Sequence, residues 1–243
     1  MSLREVRTPP PGGDRALPRR RRLAAGAAWA AIVQYFVLLV VVQAAWTEPY
    51  SAVRNAISDL GAVGCGPYSG REVCSPWHVA ANVSWVVAGL SICVGLLLVR
   101  PVFGRTVRAR VGTGLLLASG LGLASVGLHP EDASALHVPS AVAAIGLGLP
   151  AIVLLGSTLT SVDTYRAVGW LGVALGATGL AGLALAVVTP HRLFGLFERI
   201  AAYPILLWMI VVGVTTLVHA IRERDPVGAE RGGAAAVAGV AGR

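Results

Sequence analysis

Charge is scarce in this sequence. Only 13% of its 243 residues are Asp, Glu, Lys or Arg, against about 25% in a typical soluble domain. That shortage excludes a water-soluble fold of this size. Lysine is missing altogether, and all twenty basic residues are arginine. Also missing are a P-loop, a dinucleotide fingerprint, a G-x-S-x-G elbow, a C-x-x-C pair and the H-E-x-x-H spacing. Their absence removes the enzyme classes that announce themselves by short motifs. Cysteine is rare, with three in the chain, and no convincing internal repeat occurs.

What the chain has instead is apolar length. Hydrophobic residues make up 55% of it, and the mean hydropathy is +0.70. A run of about 20 apolar residues crosses a bilayer core of about 30 Å. Six such runs can be read: Leu23–Trp46, Val79–Val99, Val111–Leu128, Val138–Ser157, Val168–Val188 and Ile200–Ala220. In lipid each must be a helix, because a lone strand would leave its backbone groups unpaired. The expected fold is therefore all-α, an integral membrane six-helix bundle over residues 23–221, with disordered tails at 1–22 and 222–243. The first run follows basic residues, and Val42-Gln43-Ala44 loosely resembles a cleavage site. At 24 residues, however, it is longer than the usual signal-peptide core of about 7–15. It reads as a retained helix.

The arginines set the orientation. Sixteen lie in the N-terminal tail, the Arg100–Arg110 loop, Arg166 and the C-terminal tail; the other loops share four, Arg54, Arg71, Arg192 and Arg199. This asymmetry predicts a multi-pass protein of the plasma membrane with both termini cytoplasmic and loops 47–77, 129–137 and 189–199 outside. The net charge of +8 is then a topology signal and not a nucleic-acid site. The expected partners are membrane lipids, with Arg19–Arg22 available to anionic headgroups.

Two cysteines, Cys65 and Cys74, fall in the long outer loop. A disulfide closing that loop is the first reading in an oxidising compartment, with thiolate metal ligation as the alternative. Cys93 reads as a small apolar filler. The loop opens with Tyr50–Gly61, YSAVRNAISDLG, the longest polar excursion between two apolar runs. Ser51–Leu60 is predicted to be a short amphipathic helix, with Asn55, Ser58 and Asp59 on one face. The next span places His78, Asn82, Trp85 and Gly89 on a single face. Pro150 should kink the fourth span. Gly169, Gly172, Gly176 and Gly179 form a small-residue stripe that serves tight packing within the chain or a homodimer through Gly172 and Gly176.

Four of the five histidines (His78, His129, His137 and His191) fall at the outer face. One reading of them is a zinc site made by His129, His137 and one of Asp59, His78 or His191, with an open position for water. A second is a proton or substrate relay through Asp59 or a histidine. The third is structural, with these groups capping helices and pairing with arginines. Ser58 fits packing or capping better than nucleophilic attack, since its neighbour Asp59 points about 100° away on a helix.

Asn55-x-x-Ser58-Asp59-Leu60-Gly61, together with Asn82, His137 and Gly195-x-x-Glu198-Arg199, resembles the bacterial six-helix membrane family known as domain of unknown function nine-nine-eight. That family is similar in broad outline to the eukaryotic DRAM and FGF-receptor-activating membrane proteins. The resemblance implies the architecture and brings no activity with it. Asn55, Ser58, Asp59, His137, Glu198 and Arg199 sit at its motif positions; the Cys65/Cys74 insertion departs from it. The leading functional reading is a non-enzymatic protein without a cofactor that binds a lipid or small ligand, or supports a partner, at an outer-face pocket. Its candidate residues are Asn55, Ser58, Asp59, His78, Asn82, Glu198 and Arg199. The alternative is a metal-dependent membrane hydrolase of lipid-like substrates, and the third reading is a small transporter.

Overall fold

The structure is a computed structural model that describes residues 17–47, 49–188 and 193–223. The expectations for residues 1–16, for the chain beyond Glu223, and for His191 and Arg192 lie outside the described residues. Six helical spans are long and apolar enough to cross a membrane: Arg19–Ala44, His78–Phe103, Val107–Leu128, His137–Leu159, Asp163–Val188 and Phe194–Arg222. Trp29, Ile92, Leu116, Ile152 and Trp208 fill the interior, while Val40, Val79, Leu97, Trp170 and Val188 point outward. An apolar exterior around an apolar core suits lipid and not water. The chain is a multi-pass integral membrane protein.

The first span is two helices, α1 (Arg19–Ala30) and α2 (Val33–Ala44). The second and third are α3 (His78–Val99) and α4 (Val107–Leu128). The fourth is α5 (His137–Val142), a π-turn at Ala143–Leu147 and α6 (Gly148–Leu159). Pro150 has no N–H to give, and its ring crowds the carbonyl four residues back, at Gly146. The kink expected at Pro150 therefore takes the form of a widened turn just before it. The fifth span contains α7 (Arg166–Val188). The sixth, α8 (Phe194–Arg222), starts six residues earlier than Ile200, which brings Glu198 and Arg199 inside the helix.

Small residues let these helices touch. A Cβ on Gly169 would lie 2.7 Å from the carbonyl oxygen of Gly156, one on Gly172 would lie 2.5 Å from Trp208 Nε1, and one on Gly176 would lie 2.5 Å from Val153 Cγ2. The stripe on α7 is thus occupied by the chain's own α6 and α8, and Gly172 and Gly176 are not a free surface for a second copy. The Trp208 indole that seats on Gly172 donates to the Val168 carbonyl at 2.9 Å. At one end of the bundle, Arg19 Nε donates to the Ala220 carbonyl at 2.8 Å and Arg22 pairs with Glu223, joining α1 to α8. The 47–77 segment lies at the other end, called here the loop end.

There the chain forms a β-hairpin, β1 (Gly66–Tyr68) and β2 (Arg71–Val73), with Tyr68 opposite Arg71. Its two turn residues, Ser69 and Gly70, have φ of 47° and 76°, the left-handed pair a two-residue hairpin turn requires. A disulfide joins Cys65 to Cys74 at its base, and Cys93 is free and buried.

The short helix expected over Ser51–Leu60 does not form. Residues 52–54 are a turn, and only Ser58–Gly61 winds, as a 3-10 turn. Side chains, two of them local and one from α8, have taken N–H groups of this segment, those of Ala56 and Ile57 being ones a helix would use. Asn55 Oδ1 accepts from the Ser51 N–H at 3.0 Å, Asp59 Oδ2 accepts from the Ala56 N–H at 2.9 Å, and Glu198 Oε2 accepts from the Ile57 N–H at 2.6 Å.

Candidate functional site

The polar residues of the loop end divide into a clasp and a cleft. The clasp is built on Asp59, which is fully buried. It takes two hydrogen bonds from Arg71, Nε to Oδ2 at 2.8 Å and Nη2 to Oδ1 at 2.7 Å, and one from Asn55 Nδ2 at 3.0 Å. The Arg71 guanidinium also lies 6.0 Å from the centroid of the Phe194 ring. Arg71 reaches Asp59 because it stands on β2, whose position is fixed by the disulfide and the hairpin turn. Sequence reasoning did not single out Arg71. The signal was there in the Cys65/Cys74 spacing, which staples the loop that carries it.

A second layer ties the same segment to α8. Arg199 Nη1 donates to the carbonyls of Ala52, Asn55 and Gly195 at 2.9, 2.8 and 2.9 Å, and Nη2 bonds the Tyr50 hydroxyl. Gly195 makes the approach possible: a Cβ there would stand 2.1 Å from the Asn55 carbonyl oxygen. Glu198, one residue before Arg199, takes the Ile57 N–H. Two adjacent side chains thus hold both polarities of the 52–57 backbone. On the α3 side, Asn82 Nδ2 donates to the Gly61 carbonyl at 2.9 Å and Ser75 Oγ to the Leu60 carbonyl at 2.7 Å.

The cleft lies beside this clasp and has a volume of about 410 Å³, within the range of roughly 300–1,000 Å³ usual for small-molecule sites. Val142, Ile145 and Gly146 of the fourth span form one wall, and Leu183 and Ala186 of α7 another. The close contacts between these helices end at Gly179, whose Cβ would meet Leu149; Gly182 already faces Ile200 of α8. Beyond that level the cleft separates the fourth and fifth spans. Its polar side is made by Ser58, Arg71, Glu131, His137 and Glu198. A smaller void of about 60 Å³ shares Ser58, His137 and Glu198 and continues inward to Tyr35 and Trp85. A third cavity, of about 450 Å³, lies among Arg100, Arg105 and Arg110. Those arginines are exposed, as basic residues flanking a span usually are. Enclosed polar groups over an apolar floor single out the loop-end cleft.

Glu131, in the 129–137 loop, was not singled out by sequence. Its chain segment is locked to the hairpin loop: Asp132 accepts from the Val63 and Gly64 N–H groups at 3.0 and 2.6 Å, and the Tyr68 hydroxyl donates to the Glu131 carbonyl at 2.8 Å. The Glu131 carboxyl is pushed up to about 8, first by burial and then by Asp59 beside it; the Ser58 hydroxyl and Arg71 oppose the shift. Its Oε1 is closed off from solvent and has no hydrogen-bond partner.

The described residues do not assemble the expected zinc site. Among the described residues no three His, Cys, Asp or Glu side chains gather around a point that could hold a metal ion. Asp59 is spent on Arg71. The Nδ1 atoms of His129 and His137 turn to the carbonyls of Ser125 and His129, at 2.8 and 2.7 Å. Cys65 and Cys74 are bonded to each other. His78 Nδ1 lies 3.0 Å from the Ser75 carbonyl at the start of α3, and His78 does not line the cleft. Of the candidate ligand residues, Ser58 and Glu198 reach the cleft, with His137 from the metal set. Asn55, Asp59, Asn82 and Arg199 hold the surrounding chain in place. With Oδ1 of Asn82 buried and unpartnered, that residue is a packing and hydrogen-bonding support.

Neither a curated protein nor a solved structure matches this chain. A family model described as a protein of unknown function, DUF998, matches residues 23–215, and the chain belongs to that family.

Proposed function

We propose that the protein binds a single-chain amphiphile or lipid in the loop-end cleft. The observation that supports this is the division of the lining, apolar along Val142, Ile145, Leu183 and Ala186 and polar at Ser58, Glu131, His137 and Glu198. An acyl chain would lie between the fourth and fifth spans and its headgroup would meet the buried polar atoms. Exposed Val138 and Val142 on one side and Val187 and Val188 on the other give a chain an apolar route in from the bilayer.

Gly146 is the place to test it. A Cβ at Gly146 would find only Val142 Cγ1, 4.0 Å away, so a larger side chain can enter the cleft without a clash at its root. Gly146→Phe should weaken binding of a fluorescent single-chain lipid at least about tenfold, which is about 1.4 kcal/mol, with little change in thermal stability. Unchanged binding by a well-folded variant would exclude the cleft as the site.

We also propose that the loop end lies outside the plasma membrane. The arginine distribution and the Cys65–Cys74 bond support this. A membrane-impermeant reductant added to sealed, right-side-out vesicles should then reach the disulfide. Closing a loop of this length contributes about 2–3 kcal/mol, so the melting temperature of the recovered protein should fall. Protection of the disulfide until the vesicles are opened would reverse the orientation.

A further inference from the structure

The polar side of the cleft has an excess of acid. Asp59 and Arg71 neutralise each other through two hydrogen bonds. Arg199 faces Tyr50 and three backbone carbonyls and is not part of the lining. Glu131 and Glu198 remain, two carboxyls in one cleft, and Arg71 is the one arginine in its lining among the described residues. Glu198 has one oxygen committed to the Ile57 N–H. Glu131 Oε1 is buried and accepts nothing. A buried acceptor left unmade costs about 1–3 kcal/mol, which a donor on a ligand would recover.

Resting on the amphiphile reading above, we propose that the cleft selects an amphiphile with a cationic primary-ammonium headgroup. The ammonium has three donors and no acceptor. It would meet Glu131 Oε1, the Ser58 hydroxyl and the Glu198 carboxylate, with its chain along Val142, Ile145 and Leu183. A carboxylate or phosphate alone in that position would face two acids. A neutral hydroxyl would satisfy one acceptor without balancing the charge.

The selection carries a pH signature. Glu131 is faced by Asp59 and Arg71 on the 47–77 segment, by Tyr68 on the hairpin, and by His137 and Glu198 across the cleft. With its carboxyl held at about 8, Glu131 is mostly protonated at neutral pH, and an arriving ammonium favours the ionised form. Ammonium binding therefore strengthens as pH rises through 8 and weakens below it, as the carboxyl is protonated. A primary amine with a pKa of about 10 stays charged throughout.

The test uses the full chain in maltoside micelles and three chain-matched probes: hexadecylamine, hexadecanol and palmitate. At pH 8.5 the amine should bind at least about tenfold more tightly than the alcohol, and palmitate more weakly than either. The amine's affinity should fall about tenfold or more between pH 8.5 and 6.5, while the alcohol's stays constant. Glu131→Gln should remove the amine's advantage and its pH dependence, and an unchanged cooperative thermal unfolding in the same micelles shows that the variant is folded. Ethanolamine phospholipid, compared with choline phospholipid as a competitor, distinguishes a lipid headgroup from a free long-chain amine; displacement by either amine source supports the proposal. Equal binding of amine and alcohol, tighter binding of palmitate, or an amine advantage that survives Glu131→Gln would overturn it and leave the cleft as a lipid site. If none of the three probes binds, and Gly146→Phe changes nothing, the amphiphile reading itself fails.

Discussion

Asp59→Ala should lower the stability of the folded protein by about 3–5 kcal/mol, the usual cost of breaking a buried ion pair by removing one partner. The expected size follows from what is left behind. Asp59 is fully buried and the Arg71 side chain is 14% exposed, so the guanidinium would lose two charge-assisted hydrogen bonds with little water to replace them. The Ala56 N–H and Asn55 Nδ2 would lose their acceptor as well. Because most of the cost is an orphaned cation, Asp59→Ala/Arg71→Met should be more stable than Asp59→Ala alone. Thermal unfolding in detergent, followed by tryptophan fluorescence, reads both. If the single variant melted like the unaltered protein, or the double variant melted below the single one, the pair would not be what holds this segment down.

Asp59 also marks how far the sequence could be read. The six spans were legible because runs such as Val79–Val99 are apolar for longer than a bilayer core is thick, and only a helix can meet that condition. The stretch from Asn55 to Gly61 stood out for the opposite reason, since its polar residues gain nothing from lipid. Its conformation was not legible. Helical spacing put Asn55, Ser58 and Asp59 on one face, yet the Ile57 N–H is taken by Glu198, 141 residues away. No local pattern contains that bond. Asn55 and Asp59 do meet, at 3.0 Å, but inside the clasp and not on a helix face, while Ser58 lines the cleft.

The candidate site followed the same rule. Histidine count drew attention to His129 and His137, and the chemistry of zinc made a site from them. What is lacking is a third ligand beside them, since Asp59 is held by Arg71 and no three such side chains gather among the described residues, which composition does not encode. Glu131 and Arg71 were missed because their importance is positional. One is brought in by the Asp132 contacts to residues 63 and 64, the other by the register that sets Arg71 opposite Tyr68. Both depend on loops packing on loops, where side-chain periodicity has no meaning.

Replacing Arg199 with methionine should cost about 3 kcal/mol and also loosen the cleft. The arginine is buried, and its Nη1 donates to the carbonyls of Ala52 and Asn55. Methionine fills a similar volume without a donor, so both carbonyls lose their partner beneath the turn, at about 1–3 kcal/mol each when buried. The Gly195 carbonyl loses less, because it lies within α8 and keeps its place in the helix ladder. Held to α8 then by Glu198 and the Leu196 N–H but no longer by Arg199, the turn can shift against Gly195, and Ser58, three residues past Asn55, would move with it. Arg199→Met should therefore reduce both melting temperature and amphiphile binding, whereas Gly146→Phe reduces binding alone. Arg199→Lys should recover part of the stability, since an ammonium can donate to both carbonyls but has no planar fork to reach Tyr50 as well. Unfolding and lipid binding measured on the three variants separate the roles. A stable Arg199→Met protein with full binding would show that the clasp does not position the cleft.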